Sequence, residues 1–223
     1  MTTTNTAIRG LIFDMDGTLV DNMGFHTDSW GLWYASHGLP FDADDFLRTN
    51  AGRASDEVIG GLLPHLGSDA RISEGDRREA MFRAAYQPAM AAMPGLEPFL
   101  GRWADAGGAM AVATAAPQEN ADMILDGLDL RRFFAGVMSP TMGYRGKPHP
   151  DLFLAAAETM RLSPAECLVF EDAPMGIEAA RRAGMRAVAV TTTTSADALA
   201  ADHVALAITR FDDPRLWTLL GLA

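Results

Sequence analysis

Beyond Gly95 this chain alternates between two patterns. Short apolar runs at Ala109–Ala113, Val137–Met138, Leu168–Phe170, Ala187–Val190 and Val204–Ile208 are separated by helix-like segments at Leu96–Ala106, Pro117–Gly127, Pro150–Met160, Pro174–Ala183 and Ala196–Ala200. Strands that alternate with helices imply a parallel sheet covered by helices on both faces. One more run of the same character, Ile8–Phe13, stands far upstream and stops abruptly at Asp14-Met15-Asp16-Gly17. The stretch between is helical in pattern. Trp30, Trp33, Tyr34 and His37 follow an i, i+3, i+4, i+7 stripe, and Asp42–Thr49, Ser55–Leu63 and Glu74–Ala92 predict three further helices. The economical fold is α/β: a doubly wound, Rossmann-like parallel sheet with a four-helix cap domain inserted after its first strand. Residues 1–20 and 94–223 then form the core domain and residues 21–93 the cap.

In open parallel sheets, ligands bind at the carboxyl ends of the strands. The residues just past each apolar run are therefore the ones to read. Asp14 and Asp16 follow the first run, Thr114 the second, and Glu171 with Asp172 the run at Leu168–Phe170; Gly146-Lys147-Pro148 precedes the helix at Pro150. Four carboxylates, one hydroxyl and one lysine converge on one rim. Such a concentration of negative charge is costly unless a cation neutralises it. Hard oxygen donors without thiols suit Mg²⁺, which takes a few carboxylates and keeps room for water and a substrate phosphate. A carboxylate that attacks phosphorus gives an aspartyl phosphate, and a second carboxyl nearby can protonate the leaving oxygen.

Composition narrows the partners. Eighteen basic residues against 29 acidic ones leave a net charge of −11, which argues against nucleic acid or an anionic membrane as partner. No apolar run reaches the ~18 residues that a membrane span needs. The start, Met-Thr-Thr-Thr-Asn-Thr, has neither the basic nor the apolar region of a signal peptide. A single cysteine, Cys167, excludes an internal disulfide and a multi-cysteine zinc site; beside a buried strand it reads as inert packing. The expectation is a cytoplasmic protein, a monomer or weak homo-oligomer, acting on a small phosphorylated metabolite. Lys147 is the chain's one lysine among those 18 basic residues. A compact ammonium kept in an arginine-rich chain points to a tight site where a guanidinium does not substitute.

Asp14-Met15-Asp16-Gly17-Thr18-Leu19, Thr114, Lys147-Pro148 and Glu171-Asp172-Ala173-Pro174-Met175-Gly176-Ile177 resemble, in order, the four motifs of the haloacid dehalogenase-like superfamily. The chain is most similar to its β-phosphoglucomutase and sugar-phosphate phosphatase branch, which carries a helical cap after the first strand. The resemblance implies that Asp14 is the nucleophile and Asp16 the general acid and base, its main-chain carbonyl also binding Mg²⁺. It implies that Thr114 and main-chain N–H groups near it, Ala115 among them, hold phosphoryl oxygens. Lys147 would tie nucleophile to phosphate, and Glu171 and Asp172 would complete the metal site with Asp14 and Asp16. His26 sits at a spacing shared with the mutases. Arg53, on a cap loop, and Arg145, near Lys147, are further candidates for substrate contact.

The superfamily runs several chemistries. Dehalogenase members lack an acid at the position of Asp16, and phosphonatase members need a cap lysine, which this chain does not have. Mutases place a basic pair where Ala51 and Ser55 stand, and a threonine where Asn22 stands. The favoured reading is hydrolysis of a small phosphate monoester, a sugar or polyol phosphate. A β-phosphoglucomutase-like mutase and a catalytically degenerate phosphometabolite-binding module are the alternatives. Two local readings complete the set. Pro117 at the first helical position makes Ala116 the helix cap and leaves Thr114 outside it, and the Thr191–Thr194 patch reads as a loop.

Overall fold

The computed structural model describes residues 6–50 and 55–222. Contacts divide the chain into two units, Met1–Asp21 with Ala91–Ala223, and Asn22–Met90. In the first unit, six strands form one sheet: β1 (Gly10–Phe13), β2 (Ala109–Ala113), β3 (Val137–Met138), β4 (Cys167–Glu171), β5 (Arg186–Val190) and β6 (Val204–Ile208). They are all parallel, in the order β3-β2-β1-β4-β5-β6. The chain winds outward from β1 in one direction and from β4 in the other, so the order reverses between these two central strands. Both are buried along their whole length, which explains why each reads as a continuous apolar run rather than an alternation.

Period-2 side-chain alternation divides the core in two. Ile12, Ala111, Val169 and Ala187 face Leu152, Phe153 and Ala156 of α7 (Asp151–Thr159) and Ile177, Ala179 and Ala180 of α8 (Pro174–Arg182). On the opposite face Phe13 stacks on Phe170, ring centroids 4.7 Å apart, and both meet Phe99 of α5 (Leu96–Asp105) and Phe211. Phe99 in turn packs on Trp217 of α10 (Pro214–Leu220). That last helix adds to those that the sequence pattern predicts; Asp213 caps it and Pro214 opens it, the arrangement favoured at helix starts. The remaining helices of this unit are α6 (Gln118–Gly127) and α9 (Ala196–Leu199).

The described residues of the second unit form four α-helices: α1 (Met23–Ser36), α2 (Ala43–Asn50), α3 (Ser55–Leu62) and α4 (Ser68–Tyr86). Trp30, Trp33, Tyr34, Phe46, Val58 and Ile59 form its core, as the aromatic stripe predicts. Its fourth helix is displaced from the expected Glu74–Ala92. It starts six residues earlier, at Ser68, and gives way to a 3-10 turn at Gln87–Ala89, because Pro88 supplies no N–H to continue the α-helix. In the first unit the chain leaves and re-enters at one place. Val20 bridges to Ala92, and Met93 donates its N–H to Leu19 at 2.9 Å. This local pairing lets a 69-residue unit be inserted without disturbing the sheet. Among the described residues no helix is long and apolar enough to cross a membrane.

Candidate active site

Register places the first two acids. Phe13 pairs with Phe170 across the sheet, and Asp14 donates its N–H to Phe170 at 3.0 Å, so Asp14 leaves β1 abreast of Glu171 at the end of β4. Past Asp14 the chain folds into a tight turn. The Met15 carbonyl accepts from Thr18 and Leu19 at 3.2 and 2.9 Å, and Gly17 donates to Val20 at 2.8 Å. Gly17 has φ +82°, a left-handed conformation that glycine adopts without cost. A Cβ on Gly17 would also lie 2.1 Å from Asp172 Oδ2. The glycine therefore lets the turn close onto Asp172, the acid just past the end of β4.

Lys147 comes from the loop between β3 and α7, where its peptide bond to Pro148 is cis. Its Nζ lies 2.5 Å from Asp14 Oδ1 and 2.7 Å from Glu171 Oε2, and 5.1 Å from the centroid of the Phe153 ring. Glu171 is held from the other side too, because its Oε1 accepts the Ala173 N–H at 3.2 Å. Gly176, in the first turn of α8, makes space for it: a Cβ there would lie 2.0 Å from Glu171 Cδ. Thr114 is buried at the end of β2. Its N–H donates to Met138, and its hydroxyl accepts from Ala116 at 3.0 Å. The next residue, Ala115, is exposed. Helix α6 starts at Gln118, with Pro117 itself the extended cap at ψ 159°. This corrects the expectation that Pro117 is the first helical residue and Ala116 the cap; Thr114 still lies outside the helix.

Asp14, Glu171 and Asp172 form a buried group in which each acid offers one carboxylate oxygen within 4.8 Å of those of the other two. Three carboxylates face one ammonium. Burial pushes the Asp14 carboxyl well above its usual range, and Glu171 and Asp172 add to the rise against Lys147. Asp172 is pushed up to about 7 by burial and then by Glu171, with a hydrogen bond from Thr193 opposing. Burial alone would pull the Lys147 ammonium down, but Asp14 and Glu171 outweigh it and leave it more firmly protonated. The donor set fits a divalent cation: it is all oxygen, it is buried, and it carries more negative charge than Lys147 can balance. Cys167 is buried at the start of β4 with its thiol pushed up to about 12 by burial, so it offers no ready thiolate.

The remaining expected residues stand outside this three-acid cluster. Asp16 is half-buried in the same turn as Asp14, bridged to Val20, and its side chain is not one of the three clustered acids. Arg145 is committed to Asp151 by two bonds of 2.8 Å, on an exposed surface. His26 lies in the helical unit, where its ring stacks on Phe82 at 3.7 Å and its Nδ1 is 3.0 Å from Arg78 Nη1. Arg78 is buried there against Glu79, donates to Ser55 Oγ at 3.1 Å and lies over the Trp30 ring. Arg53 and Ala51 lie outside the described residues. Two contributors have roles that the sequence does not assign: Gly176, part of the quoted motif but explained only by its closeness to Glu171, and the threonines after β5. The latter carried a signal, a run of hydroxyls at a strand's carboxyl end.

Residues 8–184 match the family model described as haloacid dehalogenase-like hydrolase. The chain is 34% identical to the fructose-1-phosphate phosphatase YqaB of Escherichia coli (strain K12), over 81% of this chain and 95% of that protein. It is 31% identical to the β-phosphoglucomutase of Bacillus subtilis (strain 168), over 82% of this chain and 83% of that protein. Among solved structures, a family IA, variant 3 hydrolase from Entamoeba histolytica HM-1:IMSS superposes with a TM-score of 0.87 at 21% identity, covering 96% of this chain and 99% of the other.

Proposed function

The chain belongs to the haloacid dehalogenase-like hydrolase family, and from that premise we propose that it is a Mg²⁺-dependent phosphatase acting on a small sugar or polyol phosphate through an aspartyl phosphate at Asp14. The observation that carries this reading is the buried group of Asp14, Glu171 and Asp172, with Lys147 Nζ bonded to the first two. A relative named for fructose 1-phosphate and another named for a phosphoglucose support the sugar-phosphate class.

In the proposed reaction Asp14 attacks phosphorus while Asp16 protonates the departing alkoxide. Asp16 then takes a proton from the water that attacks the phosphoaspartate, which releases phosphate and restores Asp14. Lys147 holds the attacking carboxylate through Oδ1 and faces the incoming anion as a fixed positive charge. Thr114 and the main chain at Ala115 sit at the end of β2 to receive phosphoryl oxygens. Asp14, Asp172, Glu171 and the Asp16 carbonyl would hold Mg²⁺, which when bound supplies the charge that keeps Asp14 ionised and screens the phosphoryl oxygens.

Mutase chemistry is the second reading, favoured by the identity to the B. subtilis enzyme. Against it, Ser55 stands where a basic residue is expected, and its hydroxyl is engaged by Arg78 and Glu79. Two measurements decide. Aryl phosphate turnover with and without EDTA tests the metal-dependent phosphatase: activity that survives full chelation refutes it. In ³¹P NMR with β-glucose 1-phosphate and a bisphosphate primer, free phosphate is the expected product, and glucose 6-phosphate would establish the mutase instead.

A further inference from the structure

The Thr191–Thr194 run follows β5, which is separated from β1 by β4. Neighbouring strands are ~4.8 Å apart, so the loop starts about 10 Å from the turn that carries Asp14 and Asp16. It nonetheless reaches that turn. Thr191 anchors the loop on the far side, its N–H and hydroxyl both donating to the Ile208 carbonyl at the end of β6, at 2.9 and 3.1 Å. The Thr192 hydroxyl donates to the Gly17 carbonyl. The Thr193 hydroxyl hydrogen-bonds the Asp172 carboxylate. Thr193 Oγ1 and Asp172 Oδ2 crowd one point, 2.9 and 2.1 Å from where a Gly17 Cβ would sit. Consecutive hydroxyls thus touch the nucleophile's turn and a carboxylate of the buried acid group.

We propose that Thr192 and Thr193 are positioning residues of this site: Thr193 fixes the rotation of the Asp172 carboxylate toward the cation, and Thr192 pins the Gly17 carbonyl so that the Asp14–Gly17 turn keeps its spacing from Asp172. The inference rests on the Mg²⁺-dependent reading of the same site. Thr193 can act in this way because a hydroxyl donates and a carboxylate accepts, and a hydrogen bond to a metal-binding carboxylate orients it. A merely structural loop predicts something else. Thr193 is exposed, so loss of its hydroxyl would then leave metal affinity untouched.

The test is Mg²⁺ binding by isothermal titration calorimetry on the full chain, with thermal melts of the metal-free protein and aryl phosphate turnover alongside. Removing an outer partner of a metal ligand typically weakens binding about 10–100-fold, so Thr193→Val is expected to raise the Mg²⁺ Kd at least about tenfold. Its metal-free melting temperature should stay at the wild-type value. Thr193→Ser, which keeps the hydroxyl, should restore the wild-type Kd. At saturating Mg²⁺ the valine variant should recover most of its kcat. Thr192→Val should weaken Mg²⁺ binding and lower kcat together, because the turn and the acid shift relative to each other. A Thr193→Val variant that binds Mg²⁺ as tightly as wild type overturns the inference, as does a serine variant as weak as the valine one. Wild-type protein that takes up no Mg²⁺ overturns the metal-dependent reading itself, and the inference with it; the wild-type titration thus separates the two failures.

Discussion

Lys147 Nζ lies 2.5 Å from Asp14 Oδ1 across 133 residues of chain, and Glu171 Oε2 shares the same ammonium at 2.7 Å. Two carboxylates converge on one point charge whose side chain is 7% exposed, with the face of Phe153 beside it. A guanidinium is planar, longer and forked, and does not fit where a compact ammonium does. Lys147→Arg is therefore expected to lower kcat/KM for an aryl phosphate by about 100-fold or more, roughly 2.7 kcal/mol of transition-state stabilisation. Steady-state kinetics with circular dichroism as a folding control measures it; a variant within a few-fold of wild type would show that charge alone suffices.

Asp14→Asn separates chemistry from folding. The amide is no nucleophile toward phosphorus, so turnover should fall below about 1% of wild type. Stability should move the other way. Burial, Glu171 and Asp172 disfavour the ionised form of Asp14, and a neutral isostere removes that cost. The metal-free variant is expected to melt above wild type, by about 2–4 °C for each kcal/mol relieved. A lower melting temperature in EDTA would mean that the contact with Lys147 outweighs the crowding of carboxylates.

These relationships show which features the sequence exposed. The core strands and their polar ends were legible because burial on both faces forces continuous apolar runs, and because Asp14, Thr114 and Glu171 each sit where such a run stops. Lys147 stood out through its isolation among arginines. What the sequence withheld is contact across distant elements. Nothing in Thr191–Thr194 shows that the loop returns over β4 to Gly17, since that reach depends on strand order. In the helical unit the aromatic stripe is legible in the sequence, whereas the buried charge is not. The network of Arg78, Glu79 and Ser55 joins α3 to α4, and periodicity within one helix does not show it.

Gly176→Ala sets two effects of opposite sign against each other. Near a helix start, replacing glycine by alanine normally stabilises by up to about 1 kcal/mol. Here the new Cβ would lie 2.0 Å from Cδ and 2.3 Å from both carboxylate oxygens of Glu171. Glu171 has little freedom to yield, with Lys147 on one oxygen and the Ala173 N–H on the other. Overpacking of this kind costs about 1–3 kcal/mol, so the clash should win. The variant is expected to be less stable in urea melts and to lose activity more than tenfold as Glu171 swings off Lys147. A more stable variant with normal turnover would show that the carboxylate moves aside freely.

The pH dependence of stability follows from the same crowded acids. Asp14 and Asp172 are held above the ordinary carboxylate range, so the folded metal-free chain keeps protons that the unfolded chain has released. Where the unfolded state binds fewer protons, stability falls as pH rises. The window opens near the unfolded carboxylate value of about 4 and extends to about 7, where Asp172 titrates. Exposed acids work in the opposite direction. Glu166, lowered to about 2 by hydrogen bonds from the Ser163 main chain and hydroxyl and from Arg9, and Glu178, lowered to about 2 by Arg181 and Arg182, contribute stability that is lost as pH falls toward that value. In EDTA the melting temperature should therefore peak at mildly acidic pH and decline toward neutrality. With saturating Mg²⁺ the decline should disappear, because a bound cation replaces the protons that the acids would otherwise need. The stabilisation by Mg²⁺ should accordingly grow from about pH 5 to about pH 7. Differential scanning calorimetry across that range, with and without metal, measures both curves. A metal-free profile that rises toward neutrality would show that Lys147 alone already balances the three carboxylates.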